Sequence, residues 1–142
     1  MCYEGMMGVD ILAIDPGREK SGMAVLSEHG VLRCKKIVPT ETIEEETATL
    51  LAAYPSIERI VCGNGTNHNA VSDRLKAAAK GTKCDVVLTE EAHTTEEARK
   101  RYFEYNPPKG LKRLIPRGML YPPEPVDDFT AWIIGERYLS KL

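Results

Sequence analysis

The sequence predicts an α/β fold in which an antiparallel three-stranded meander runs into a strand–helix alternation, and three observations predict it. Short apolar runs ending in turn residues open the chain; alanine-rich segments of helical period alternate with further apolar runs; and a proline-rich stretch precedes a last amphipathic segment. Val9 to Ile14 is apolar except for Asp10 and stops at Asp15-Pro16-Gly17, where proline and glycine turn the chain. Gly22 to Ser27 and Val31 to Val38 are two further strands, joined by Glu28-His29-Gly30 as a hairpin. Thr42 with Glu45 has capping-box spacing ahead of Ala48, Leu50, Leu51, Ala52 and Ala53, which predicts a first helix. A strand over Ile57 to Cys62, a helix over Ala70 to Lys80, a strand over Cys84 to Thr89 and a helix over Thr94 to Tyr105 follow, an alternation that implies parallel strands with crossover helices. Val126 to Leu142 closes the chain as a helix. The order is βββ-α-β-α-β-α-loop-α with no internal repeat, and 142 residues predict one domain, with 106–125 as a proline-rich basic loop inside it.

Composition narrows the function classes. With 42% hydrophobic and 28% charged residues the chain reads as a soluble globular domain, and no apolar run approaches the roughly 20 residues that cross a bilayer. Met1 to Gly8 contains Glu4 and no basic cluster, so a cytoplasmic protein without a membrane partner is expected. Cys2, Cys34, Cys62 and Cys84 form no CxxC pair, which predicts neither disulfides nor a zinc site. Gly63-Asn64-Gly65 is a poor dinucleotide fingerprint because His68 stands at the third glycine position.

Sites in parallel α/β sheets form beyond the carboxyl ends of the strands. Asp15 ends the first strand and Glu90-Glu91 ends the last, so two carboxylates share one edge. A helix starting near Asp127 puts Asp127 on one face with Ala131, Ile134 and Tyr138, at the head of its buried side. Clustered carboxylates repel unless a cation neutralises them, and oxygen ligands suit Mg²⁺ or Mn²⁺, which can hold an attacking water and a leaving oxygen for phosphodiester cleavage. The same residues also read as a turn aspartate, solvated glutamates and a helix cap at Asp127 or Asp128.

Three segments carry a family resemblance. Asp15-Pro16-Gly17-Arg18-Glu19-Lys20-Ser21-Gly22-Met23-Ala24-Val25 resembles the first motif of the YqgF/RuvX-like proteins, a branch of the RuvC-type resolvases with the RNase H-like fold. Glu90-Glu91-Ala92-His93-Thr94-Thr95-Glu96-Glu97-Ala98 is similar to that family's Asp-Glu-Arg-x-Thr-Thr-x-x-Ala stretch, and 126–134 to its final acidic helix. The resemblance implies an RNase H-like fold, a mixed five-stranded sheet of three antiparallel and two parallel strands with helices on both faces. It implies a divalent-metal nuclease for structured nucleic acid, acting on Holliday junctions or on the small-subunit ribosomal RNA precursor. Asp15, Glu91 and Asp127 become the expected catalytic carboxylates, with Asp128 beside them as a further metal ligand, and Mg²⁺ or Mn²⁺ the expected cofactor. The chain departs from the pattern at Ala92, where the family has arginine, and at Glu90, where it has aspartate.

Charge is polarised along the chain. Residues 99 to 117 hold seven basic side chains against the single Glu104, a net +6, which leaves −8 for the rest of a chain whose total is −2. Arg99, Arg101, Lys109, Lys112, Arg113 and Arg117, with Lys20 of the first motif, are the expected phosphate contacts, and Tyr102, Phe103, Tyr105 and Tyr121 offer rings for unpaired bases. The alternative is a solvated face with packed aromatics. Glu41, Glu44, Glu45 and Glu46 suit the positive end of the first helix, Thr94 and Glu97 form a second capping-box pair, and Phe129, Trp132 and Ile133 read as core. His29, His68 and His93 share no ligand spacing. The expected function is a metal-dependent endonuclease or resolvase-like hydrolase acting on RNA or branched DNA, as a monomer or homodimer. A non-catalytic nucleic-acid-binding module of the same fold is the alternative, and a two-lobed nucleotide-binding ATPase is disfavoured by length.

Overall fold

Asp10–Asp15 (β1), Lys20–Ser27 (β2) and Leu32–Pro39 (β3) form the antiparallel meander, and Ile57–Gly63 (β4) and Asp85–Thr89 (β5) extend it in parallel, giving one sheet of order β3-β2-β1-β4-β5. The helices are Ile43–Ala53 (α1), His68–Ala79 (α2), Thr94–Tyr105 (α3) and Asp127–Ser140 (α4). The computed structural model describes residues 8–65, 68–90, 94–116 and 120–141. This is the mixed five-stranded α/β architecture the sequence predicts.

β1 lies at the centre and is covered on both faces, which is why Ile11 to Ile14 is apolar throughout instead of alternating with polar residues. Ile11 and Ala13 face one core with Ala24, Leu26, Ala98, Tyr102, Phe129 and Ile133, under α3 and α4. Leu12 and Ile14 face the other with Met23, Val25, Ile43, Leu50 and Leu75, under α1 and α2. The period of two along the strand thus sorts one sequence into two cores. α4 lies directly on the sheet: a Cβ at Gly135 would stand 2.8 Å from Leu26 Cδ1 and 3.1 Å from Ala13 Cβ. A glycine inside a helix costs about 1 kcal/mol relative to alanine, and here it permits the close approach that seats the helix.

The start of α1 differs from expectation. Thr40–Thr42 forms a short 3-10 helix, and the Thr42 hydroxyl donates back to the Pro39 carbonyl (2.9 Å) instead of capping α1, so the Thr42–Glu45 box is not made. The local backbone acceptor competes successfully for that hydroxyl. The turn is held from α2: Arg74 donates to the Thr40 carbonyl (2.6 Å) and to the Glu41 carbonyl, and pairs with Glu44 (3.2 Å). The 106–125 stretch also contains more regular structure than its prolines suggest, a 3-10 helix over Gly110–Leu114. Among the described residues no helix is long and apolar enough to cross a membrane.

Candidate active site

β1 delivers Asp15 to the carboxyl edge of the sheet, paired across to Gly22 of β2. α4 begins directly over that pair. A Cβ on residue 22 would lie 1.8 Å from the Asp127 carbonyl oxygen and 3.0 Å from the Asp128 nitrogen, so only glycine lets the helix start there. The result is a hydrogen bond between the Asp15 and Asp127 carboxyls. Burial holds the Asp127 carboxyl above its usual range; the hydrogen bond with Asp15 draws it back, the Asp128 charge pushes it further up, and Lys20 lowers it.

Of the two aspartates that open α4, geometry separates the roles. Asp128 Oδ2 accepts a hydrogen bond from Lys35 Nζ at 2.6 Å, its Oδ1 accepts from the Phe129 amide at 3.0 Å, and the Lys35 ammonium stands 4.2 Å over the Phe129 ring. Asp128, expected beside Asp127 as a metal ligand, is therefore turned to β3, and Asp127 is the one that meets Asp15.

The turn after Asp15 is fixed by residues that sequence reasoning passed over. The buried Ser21 and Thr40 hydroxyls bond each other at 2.7 Å, Thr40 Oγ1 donates to the Gly17 carbonyl (2.9 Å), and the Thr40 amide donates to the Glu19 carbonyl (2.8 Å). Arg74, which grips the Thr40 carbonyl, links this turn to α2. Ser21 lies inside the first motif and was open to notice; Thr40 and Arg74 carry no local signal. Glu91, with Ala92 and His93, lies outside the described residues, as does Arg117. The chain leading to Glu91 is anchored, since the Asn64 amide donates to the Thr89 carbonyl (3.0 Å) and Gly63 pairs with Thr89. Among the described residues no three His, Cys, Asp or Glu side chains are grouped to hold a metal ion.

The basic segment divides. Arg101 pairs with Glu136 (2.8 Å) and covers Trp132 (4.5 Å to the ring centroid), so it ties α3 to α4; Glu97 does the same by accepting from Arg137. Arg99 sits over the Tyr121 ring at 5.1 Å. Lys20, Lys109, Lys112 and Arg113 are exposed. The aromatics divide too. Tyr102 and Phe103 are core residues, edge to face at 5.2 Å, which removes them from the expected base-stacking set because they lie on the stripe of α3 that packs against α4. Tyr105 and Tyr121 are 63% and 74% exposed.

No family model matches the sequence, and no match is found among curated proteins. Solved structures do match. RuvC of Thermus thermophilus superposes with a TM-score of 0.56 at 13% identity, over 89% of this chain and 90% of that one. The fowlpox virus resolvase in complex with substrate Holliday junction DNA gives 0.60 at 14% identity, over 94% and 98%. The fowlpox virus Holliday junction resolvase gives 0.57 at 12%, over 94% and 100%. Together with the strand order, this likeness gives the chain an RNase H-like fold.

Proposed function

We propose that the chain is a divalent-metal-dependent phosphodiester hydrolase for structured nucleic acid, of the YqgF/RuvX kind that its motifs resemble. The observation that carries the reading is the contact between the Asp15 and Asp127 carboxyls. Two half-buried carboxyls in contact must share a proton or a cation. A set of carboxylate oxygens suits a small hard cation that keeps some of its waters, so Asp15 and Asp127 fit Mg²⁺ or Mn²⁺, with Glu91 as the third ligand. When bound there, the cation supplies Lewis acidity at phosphorus and a water of lowered pKa for in-line attack.

The chain's own residues do the rest. Asp15 is held by β1 and by the Ser21–Thr40 lock on the following turn, and Asp127 by the seating of α4, so both are placed before substrate arrives. Lys20, close enough to Asp127 to lower its pKa, contacts a phosphate next to the scissile one, and Lys109, Lys112 and Arg113 hold the flanking backbone, with Arg99 as a further contact and Arg117 proposed on its sequence position. The fold shared with resolvases, one of them solved with Holliday junction DNA, supports a branched DNA as substrate. The YqgF/RuvX-like motifs suggest a folded ribosomal RNA precursor as the other candidate, and we propose action in the cytoplasm as a monomer or homodimer.

The test is cleavage of labelled four-way junction, single-stranded DNA and single-stranded RNA with Mg²⁺, with Mn²⁺ and with chelator, comparing wild type with Asp15→Asn. Metal-dependent cleavage that the variant loses is expected. Cleavage retained by the variant would sink the assignment. A binding module without hydrolysis is the second reading, favoured by Ala92 at the family's arginine position, and salt-sensitive binding without cleavage in the same panel selects it.

A further inference from the structure

The loop between α3 and α4 leaves from Tyr105 and returns to Asp127, and its two feet stand together. The Tyr105 ring is 6.1 Å from Phe129 and 5.6 Å from Trp132, and the Tyr102 hydroxyl bonds Glu124 at 3.1 Å. The loop is therefore a long excursion with neighbouring ends, rooted beside the first turn of α4 where Asp127 meets Asp15. Within it no residue of the Gly110–Leu114 3-10 helix is buried. Side chains three apart eclipse in a 3-10 helix, so Leu111 and Leu114, 84% and 82% exposed, form a single apolar ridge. Lys109, Lys112 and Arg113 flank it, and no acidic residue occurs between Asn106 and Pro116.

Two bare leucines in a purely cationic setting narrow the occupant. A second copy docking by the same patch would bring six like charges together across a two-fold interface, which is unfavourable. A membrane-surface element needs an apolar face much longer than one five-residue turn. Nucleic acid satisfies both features at once: phosphates take the cations, and an apolar side chain fills the gap beside an unstacked base, as leucine wedges do in other nucleic-acid complexes.

We propose that Leu111 and Leu114 are a wedge that reads unpaired bases next to the cleavage site, with Lys109, Lys112 and Arg113 gripping the adjoining phosphates. The inference rests on the hydrolase reading for the position of that cleavage site. Because separating stacked pairs costs a few kcal/mol per step, the wedge favours substrates whose bases are already unstacked, at a branch or a gap, over continuous duplex.

The experiment measures binding in chelator, so cleavage plays no part, with a four-way junction carrying 2-aminopurine at the branch, a gapped duplex and a continuous duplex. Leu111→Ser with Leu114→Ser should leave the thermal melt unchanged, weaken junction and gap binding about tenfold, abolish the 2-aminopurine response and spare continuous duplex. Lys112→Ala with Arg113→Ala should weaken all three and reduce the salt slope by about 2. If wild type binds the junction and the double serine variant binds it equally well, the wedge is overturned and the hydrolase reading stands. If wild type binds none of the probes, nor their RNA counterparts, the hydrolase reading falls with it. Loss of a solution dimer, or of binding to anionic vesicles, at unchanged junction affinity would assign the ridge to a second copy or to lipid and overturn the proposal.

Discussion

β1 carries an aspartate at each end, and the two are treated in opposite ways. Asp10, only 2% exposed, receives Arg33 Nε at 2.8 Å and the Ser56 hydroxyl, so its charge is matched by a cation and a donor. Asp15, at the other end of the same strand, is set against a second carboxyl, Asp127, with Asp128 behind it. A buried acid matched by an opposite charge helps to build the fold, whereas two carboxyls set against each other raise the cost of ionising either one, which on the hydrolase proposal a cation would offset. The molecule tolerates the second arrangement because the first, and the two cores, secure the strand.

Exchanging what the two ends lose should expose the contrast. Asp15→Asn should reduce cleavage by on the order of a hundredfold or more, since even the partners of metal ligands are worth 10–100-fold, without lowering the melting temperature. Asp10→Ala should leave the carboxyl pair intact and cost about 3 kcal/mol in urea unfolding, because Arg33 keeps a charge with no partner. Equal stability losses for the two variants would erase the distinction.

Gly22→Ala joins the two ends in one measurement. Its Cβ overlaps the Asp127 carbonyl, so α4 must lift, and a loss of about 2 kcal/mol should accompany lost cleavage. Retained activity at full stability would show that the close approach is dispensable.

The smallest effect is also the most diagnostic. The folded-state pKa of Asp127 is raised, chiefly by burial, so its contribution to stability is complete at pH values below its unfolded pKa and is lost as pH rises through the folded value. At neutral pH in chelator the ionised carboxyl is thus a liability. Asp127→Asn should raise the neutral-pH melting temperature by a few degrees, with the gain vanishing in acid, and Mg²⁺ should stabilise wild type but not the variant. A variant that melts lower than wild type at neutral pH would place Asp127 with Asp10 instead.

How much of this was legible in the sequence depended on distance along the chain. The strands were readable because their signal is local: Ile11 to Ile14 and Met23 to Leu26 are apolar on both faces, and Pro16-Gly17 marks the turn. Helical phase brought Asp127 to the face that meets Asp15. The choice between Asp127 and Asp128 was not readable, because Lys35, which takes Asp128, is 93 residues away. The missing capping box at Thr42 has a different origin, since a local acceptor, the Pro39 carbonyl three residues back, takes its hydroxyl. Tyr102 and Phe103 looked like neighbours of the basic residues in sequence, but helical geometry turns them into the core. Most of the motif carrying Glu91 opens α3, but Glu91 itself lies outside the described residues, so that member of the expected trio stands on its sequence position.

The seating of α4 has a consequence in time. Asp15 and Asp127 are separated by most of the chain, and the helix that carries Asp127 also covers one face of the sheet. A polypeptide emerging from the ribosome therefore holds no assembled carboxylate pair until α4 has been made and has folded back onto β1 and β2. If the proposed hydrolase reading holds, the chain would meet ribosomal RNA during its synthesis without an assembled site, since Asp127 joins Asp15 only once the C-terminal helix has folded back.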